Sequence, residues 1–380
     1  MSGPATVPVS VIIPAHNRPV LLERALASVR RQTVAPAEIL VVDDCSTDET
    51  PEVAERLGCR VLRHDHNRGA AAARNTGVAA ASQEWLALLD SDDRWLPAHL
   101  ETAWRARDSH DLVSTSALLI TGEGKPTRVI GPPFHRPRRL SGPGSLLWPE
   151  NIVVASGSLV RRDAVRAVGG YDTSLRWAED FDLWMRLLAH TTGVALPDVT
   201  VLMTVHEGRK SSHASGPSAA QRAIVGRVLR ESGDRVRAER RLGVRAWDDL
   251  RRALRDGSRE RARAAVPALF ANPQRVIGVL GIWGWRRQMK RRARAYGPDG
   301  SPRVVVSSWP ADRPLPRRGG EILEDRRDEA PVRRAAALIF SPPSSVIVSR
   351  PIERRLVSLM GLVAREGGDD AVEQTSSSGT

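Results

Sequence analysis

Ala87-Leu88-Leu89-Asp90-Ser91-Asp92-Asp93 is an apolar run that stops abruptly in three carboxylates within four positions, followed by Arg94-Trp95-Leu96-Pro97. From Trp85 to Leu89 there is no polar alternation, which is the pattern of a strand buried on both faces of a parallel sheet. The carboxyl end of such a strand is where open α/β sheets keep their ligands. Acids crowded there repel one another unless a cation lies between them. Aspartate oxygens are hard ligands suited to Mg²⁺ or Mn²⁺. The plainer reading is a helix N-cap with extra acids in its first turn. Taken alone, the four residues do not separate the two.

Upstream, the same kind of strand recurs. Val9-Ser10-Val11-Ile12-Ile13-Pro14 is a buried strand cut by a proline that cannot donate to a ladder. Pro19 to Gln32 has Leu22, Ala25, Leu26 and Val29 at helical spacing. Ile39-Leu40-Val41-Val42 is a second strand, ending in Asp43-Asp44-Cys45-Ser46-Thr47-Asp48, with Ser46 or Thr47 as cap of a helix reaching Leu57. Cys59 to Leu62 is a third strand, and Ala70 to Ala81 an alanine-rich helix. This alternation argues for an α/β fold with a mostly parallel sheet flanked by helices. A Gly-x-Gly-x-x-Gly turn after the first strand is missing, which disfavours a nicotinamide or flavin domain.

Further on, Pro97 to Arg107 reads as helix, Leu112 to Ile120 as strand, and Gly122 to Leu146 as a long loop. Asn151 to Val160 is expected as strand and Arg162 to Val168 as helix, closed by Gly169-Gly170. A helix with Phe181, Trp184, Leu187 and Leu188 on one face follows, with Glu179 and Asp180 at its start.

Five segments now stand in order: Val9–Arg18, Val41–Asp48, Asn67-Arg68-Gly69 through Asn75, Leu88–Asp93, and Gly169-Gly170-Tyr171-Asp172 with Ala178-Glu179-Asp180-Phe181-Asp182. Together they resemble the inverting glycosyltransferases of family 2, whose fold is the Rossmann-like GT-A. The likeness takes in roughly the first 215 residues. It implies that Asp44 accepts the N3–H of a uracil or thymine, with Pro14, Ala15, His16 and Asn17 as the wall beside the base and Arg68 near the nucleotide. It further implies that Asp92 ligates a divalent metal (Mn²⁺ or Mg²⁺) bridging the donor diphosphate, while Asp90 contacts the ribose or a metal-bound water. His206, in Val205-His206-Glu207-Gly208, matches a later metal ligand of some members. Cys45 stands where the family often has glycine, and His16 where it often has an aromatic.

Inversion at a sugar carbon needs a base for the acceptor hydroxyl. By the resemblance Asp180 is that base, with Glu179 positioning it or the acceptor. Adjacent like charges raise one pKa of such a pair, although acids at a helix start also satisfy its dipole. Capping is the plainer role for Asp43 and Asp93, and a structural one for Asp182. Arg74 and Asn75 either serve the site or brace the sheet edge. Sugar selectivity is expected within 122–160, where Trp148, Asn151, Ser156 and Ser158 are candidates. The implied activity moves a sugar from a nucleoside-diphosphate donor (UDP- or dTDP-sugar) to a hydroxyl of a glycan or lipid-linked acceptor. A sugar nucleotidyltransferase is the enzyme-class alternative.

The net charge of +13 is local. Residues 216–300 carry 21 Lys and Arg against 8 Asp and Glu, whereas the first 215 carry 24 against 25 and the last 80 carry 12 against 11. Residues 216–300 are expected to be a basic helical extension. Within 264–294, Ala264 to Trp285 is apolar but interrupted by Pro267 and Asn272-Pro273, and Gln288 to Arg294 is polybasic. Two Trp beside such a cluster suit an anionic membrane surface; a bundle packed on the catalytic part is the other reading. Nucleic-acid binding is disfavoured because no recognised motif accompanies the charge. Residues 301–380, rich in Pro, Ser and Arg, are expected to be a weakly ordered tail with one helix near 352–365. Two cysteines make no disulfide framework. With neither a signal peptide nor a membrane span in the pattern, the expected location is the cytoplasm, peripheral to the inner face of the plasma membrane.

Overall fold

The computed structural model of the chain describes residues 4–132, 136–147, 151–205, 216–231 and 234–300. His206, Trp148 and the tail after 300 lie outside the described residues.

Strands β1 (Thr6–Ala15), β2 (Ala35–Asp43), β3 (Arg60–Arg63) and β4 (Trp85–Leu88) form a parallel block in the order β3-β2-β1-β4. Helices α1 (Pro19–Arg30), α2 (Thr50–Arg56) and α3 (Gly69–Ala80) make the crossovers. Successive residues of β1 point to opposite faces. Val11 and Ile13 therefore pack with Leu22 and Leu26 of α1, while Ile12 packs with Ala71 and Val78 of α3. Pro14 does not end β1; it pairs with Val42, and the Ala15 carbonyl beyond it accepts the Asp44 N–H at 2.8 Å.

The chain continues through β5 (Asp93–Trp95), α4 (His99–Arg105), β6 (Leu112–Thr121), β7 (Pro126–Ile130), β8 (Arg138–Ser141), β9 (Ser158–Arg161), α5 (Arg162–Ala167), α6 (Glu179–Leu188) and β10 (Thr192–Val205). This half extends the sheet as β9-β6-β10-β5, with β7 on β6 and β8 on β10. Here only β6 and β10 pair in parallel, so the sheet as a whole is mixed.

Three local expectations change. The stretch from Gly122 to Leu146 is not all loop, because it holds the short strands β7 and β8, each with too few apolar residues to stand out. The strand expected from Asn151 shrinks to β9, since residues 155–157 form a 3-10 turn. Neither Ser46 nor Thr47 caps α2, which begins at Thr50, where Asp48 accepts the backbone N–H.

Helices α7 (Gly216–Glu231), α8 (Arg235–Arg255), α9 (Arg259–Phe270) and α10 (Pro273–Ala293) follow. Their Ile224, Val225, Val244, Ile282, Trp285 and Met289 belong to the same apolar cluster as Phe181 and Trp184 of α6. Arg292, 1 % exposed, donates to the carbonyls of Pro132 and Pro197. No single helix among the described residues is long and apolar enough to cross a membrane; α9 and α10 qualify only as a pair bent by 109°.

Helices α8 and α10 meet at glycines. A Cβ on Gly278 would lie 2.4 Å from the Arg240 carbonyl oxygen, and one on Gly243 would lie 2.2 Å from that of Arg275. Backbone cannot yield as a flexible side chain does. Gly278→Ala is therefore expected to destabilise the chain by about 1–3 kcal/mol, read as a lower urea midpoint; an unchanged midpoint would deny the close crossing.

Candidate active site

The loops at the carboxyl ends of β1 and β2 build one wall of a cleft of about 660 Å³. Pro14, Ala15, His16 and Arg18 line it. Asn17 does not; held at φ 49°, it donates its N–H to Ser46 Oγ (2.9 Å) and accepts the Thr47 N–H (2.8 Å), so it ties the two loops together. Cys45 adopts φ 63°, a conformation that favours glycine and explains the family's frequent choice there.

Asp44 lines the same wall and is 4 % exposed. Its carboxylate accepts the backbone N–H groups of Arg68 (2.8 Å) and Gly69 (2.7 Å) and lies 2.7 Å from His64 Nδ1. Burial acts to raise its pKa, but these hydrogen bonds prevail and hold it below the usual carboxylate range. The Arg68 side chain is exposed; its main chain holds Asp44, and its neighbours Asn67 and Gly69 line the cleft.

The acids after β4 share a second wall. The Asp90 N–H donates to Ser156 Oγ (3.1 Å), and that hydroxyl donates to Asp93 Oδ2 (2.6 Å). Trp95 Nε1 donates to the Ser156 carbonyl at 2.6 Å. Asp93 is fully buried and acts as a brace. Ser156, though it borders the cleft, spends its hydroxyl on this bracing, and Ser158 donates inward to the Val154 carbonyl, so neither reads as a sugar selector. Asn151 does line the cleft.

One carboxylate oxygen each of Asp90, Asp92 and Asp93 lies within 4.8 Å of the others. This hard-oxygen set fits Mg²⁺ or Mn²⁺. Asp92 also pairs with Arg18 at 2.8 Å.

The two acidic groups of the sequence meet through Arg74. Carried on α3 and 5 % exposed, it bridges Asp90 (2.6 Å) and Glu179 (3.0 Å), with its guanidinium 5.4 Å from the Tyr171 ring centre. Asn75, next to it, clamps the Tyr171 backbone by two hydrogen bonds of 2.8 Å. Arg74 thus serves the cleft, while Asn75 is a brace. Arg74 interrupts a run of alanines packed on the sheet, and a lone charge in such a run was the available signal.

Ala178, left-handed at φ 59°, turns the chain into α6. Asp180 follows on the cleft wall, partly exposed but surrounded by protein. Desolvation, then the Glu179 charge, raises its pKa to about 6 against the opposing pull of Arg74 and the Phe181 N–H. Asp182 is fully buried between Arg186 and Arg227 and is structural. From the helical extension, Gln221, Arg241 and Arg245 reach the cleft, which no sequence pattern foretold.

A cleft at the carboxyl ends of a parallel block, with acids after β2, after β4 and at the start of α6 along it, belongs to a GT-A-type α/β fold. S. aureus TarS 1-349 in complex with UDP-GlcNAc shares the fold at a TM-score of 0.51 and 21 % identity, over 76 % of this chain and 83 % of that one. Residues 10–169 match the model of glycosyl transferase family 2. The chain is 32 % identical over 221 residues to the pre-mycofactocin glycosyltransferase of Mycobacterium tuberculosis, covering 55 % of this chain and 44 % of that relative. It is 30 % identical over 183 residues to the uncharacterized glycosyltransferase YwdF of Bacillus subtilis, covering 47 % of this chain and 67 % of the relative. Over 96 residues it is 42 % identical to the Escherichia coli UDP-Glc:alpha-D-GlcNAc-diphosphoundecaprenol beta-1,3-glucosyltransferase WfgD, or 24 % of this chain and 38 % of WfgD. The chain spans less than half the length of the first of these relatives. It belongs to glycosyl transferase family 2.

Proposed function

We propose that the protein is an inverting glycosyltransferase that moves a sugar from a UDP- or dTDP-sugar to a hydroxyl of a glycan or lipid-linked acceptor. The observation that carries this reading is Arg74, which joins Asp90 and Glu179 and so turns the β4 acids and the start of α6 toward one cleft. Pro14, Ala15 and His16 flank the base, and Asp44 faces it with a carboxylate kept ionised by its backbone donors. Asp92 and Asp90 would hold a divalent cation, whose charge would offset that of the departing diphosphate. Asp180 takes the proton from the acceptor hydroxyl as that oxygen attacks opposite the leaving group. Glu179 keeps the Asp180 pKa raised and remains tethered by Arg74.

A panel of nucleotide sugars with Mn²⁺, scored by stabilisation on heating and by product, tests the reading. Release of a nucleoside diphosphate is expected; release of pyrophosphate would make the protein a nucleotidyltransferase. Because Asp180 must be ionised to act, turnover at saturating donor is expected to fall about tenfold per pH unit below about 6. Glu179→Gln removes a charge that raises this pKa, so the inflection moves to lower pH. An inflection unmoved by that change would remove Asp180 from the role.

The lipid-linked acceptor draws support from WfgD, named for a diphosphoundecaprenol-linked substrate. Exposed Phe270, Ile277 and Trp283 on α9 and α10, beside Lys290 and Arg291, suit a peripheral seat on the cytoplasmic face of an anionic membrane. Sedimentation with phosphatidylglycerol vesicles is expected to be weakened by Trp283→Ser; retention on neutral vesicles alone would count against the seat.

A further inference from the structure

His64 does not line the cleft and meets it through Asp44. It follows β3 directly, and its N–H donates to the Asp43 carbonyl at 2.9 Å, prolonging the β2–β3 ladder by one residue. The imidazole is 4 % exposed, and both of its nitrogens are engaged. Nδ1 lies 2.7 Å from Asp44 Oδ1, and Nε2 lies 2.9 Å from Thr76 Oγ1 on α3. An ionised carboxylate only accepts, so Nδ1 carries the hydrogen of its bond. The ring is thus pinned between the end of β2 and a helix, and its donor is aimed at one oxygen of Asp44.

What this leaves to a ligand follows from the lone pairs. A carboxylate offers about four acceptor sites, two on each oxygen. Oδ1 takes both His64 Nδ1–H and the Arg68 N–H, while Oδ2 takes the Gly69 N–H. One site remains, on Oδ2, in a side chain that borders the cleft. A single acceptor suits a ring edge with one N–H between two carbonyls, as in uracil or thymine. Cytosine puts a lone pair at the same ring position, and a site made to receive a hydrogen rejects a ligand that lacks one.

We propose that His64 is a positioning residue for the donor nucleobase: by occupying Oδ1 of Asp44 and locking the carboxylate to α3, it presents one acceptor site to the ring edge and so favours uracil or thymine over cytosine. This rests on the reading of Asp44 as the partner of the nucleobase. Because α3 also carries Arg74, the same helix then supports both the nucleobase pocket and the link between Asp90 and Glu179.

The test titrates the full chain with UDP and with CDP in the presence of Mn²⁺, followed by calorimetry. Ribose and diphosphate contributions cancel in the ratio of the two affinities, which therefore reads the ring edge. The wild type is expected to favour UDP, and Asp44→Ala to lose that preference. His64→Gln, whose amide nitrogen falls near the place of Nε2, should cut the UDP:CDP ratio by about tenfold. His64→Asn, whose amide nitrogen can replace Nδ1, should keep the ratio within about threefold of the wild type. A role in filling space predicts the opposite order, since Gln is nearer to His in size. Should His64→Gln not fold, Thr76→Val, which releases Nε2 and leaves the imidazole in place, is expected to lower the ratio by about threefold; an unchanged ratio there would count against the proposal. A ratio in His64→Gln equal to that of the wild type, or lower in His64→Asn than in His64→Gln, overturns the role of His64 and leaves Asp44 its own. A wild type that does not favour UDP, or a preference that survives Asp44→Ala, overturns the reading of Asp44 itself, and the role of His64 falls with it. If UDP does not bind, dTDP against dCDP reads the same edge.

Discussion

Asp180→Asn is expected to lower turnover by about a thousandfold or more, the range of a lost general base, while UDP affinity stays within about twofold. The carboxylate is carried by the start of α6, whereas the β1 and β2 loops carry the residues assigned to the nucleotide, so its loss is expected to spare the nucleotide. The same change carries a second signature, in stability. The folded-state pKa of about 6 lies above the ordinary 3.8, so the folded chain binds the proton more tightly than the unfolded one. Ionised Asp180 therefore costs stability that is absent at pH 3, grows as pH rises from about 4 to 6, and is fully present above. Asparagine removes that cost. At pH 8 the variant should melt no lower than the wild type and at pH 4 the difference should vanish. An inactive variant that also melts lower at pH 8 would point to a structural Asp180.

Asp92→Ala is expected to abolish metal-dependent donor binding. In the wild type, chelation by EDTA should weaken UDP by about a hundredfold or more, since even outer-shell changes cost 10–100-fold in metal affinity. In Asp92→Ala, calorimetry should register UDP weakly and equally with or without Mn²⁺. Asp93→Asn offers a contrast, because that carboxylate is spent on Ser156; its effect should appear in stability first. Donor binding indifferent to EDTA in the wild type would assign diphosphate recognition to arginines such as Arg18.

The half of the fold that was legible is the parallel block. Strands buried on both faces are written as unbroken apolar runs, so β1, β2 and β4 could be read directly, as could the acids at their ends. Short edge strands carry no such mark; β8 reads Arg138-Arg139-Leu140-Ser141 and resembles loop. The role of Arg74 is not written in the sequence because its partners stand 16 and 105 positions away, and spacing holds no record of that meeting. In the sequence Arg241 is one of 21 Lys and Arg between 216 and 300, with nothing to single it out. Its burial comes from tertiary packing, with Gln221 of α7 and the Phe181 ring of α6 beside it, which local periodicity does not encode.

Arg292 anchors a consequence for anyone reshaping this protein. Its guanidinium donates to the Pro132 carbonyl just past β7 and to the Pro197 carbonyl at the register break within β10. Cutting after residue 215 would uncork those oxygens and strip the apolar flank of α6. A foreign tail grafted onto the front half would have to bring an arginine in the same register.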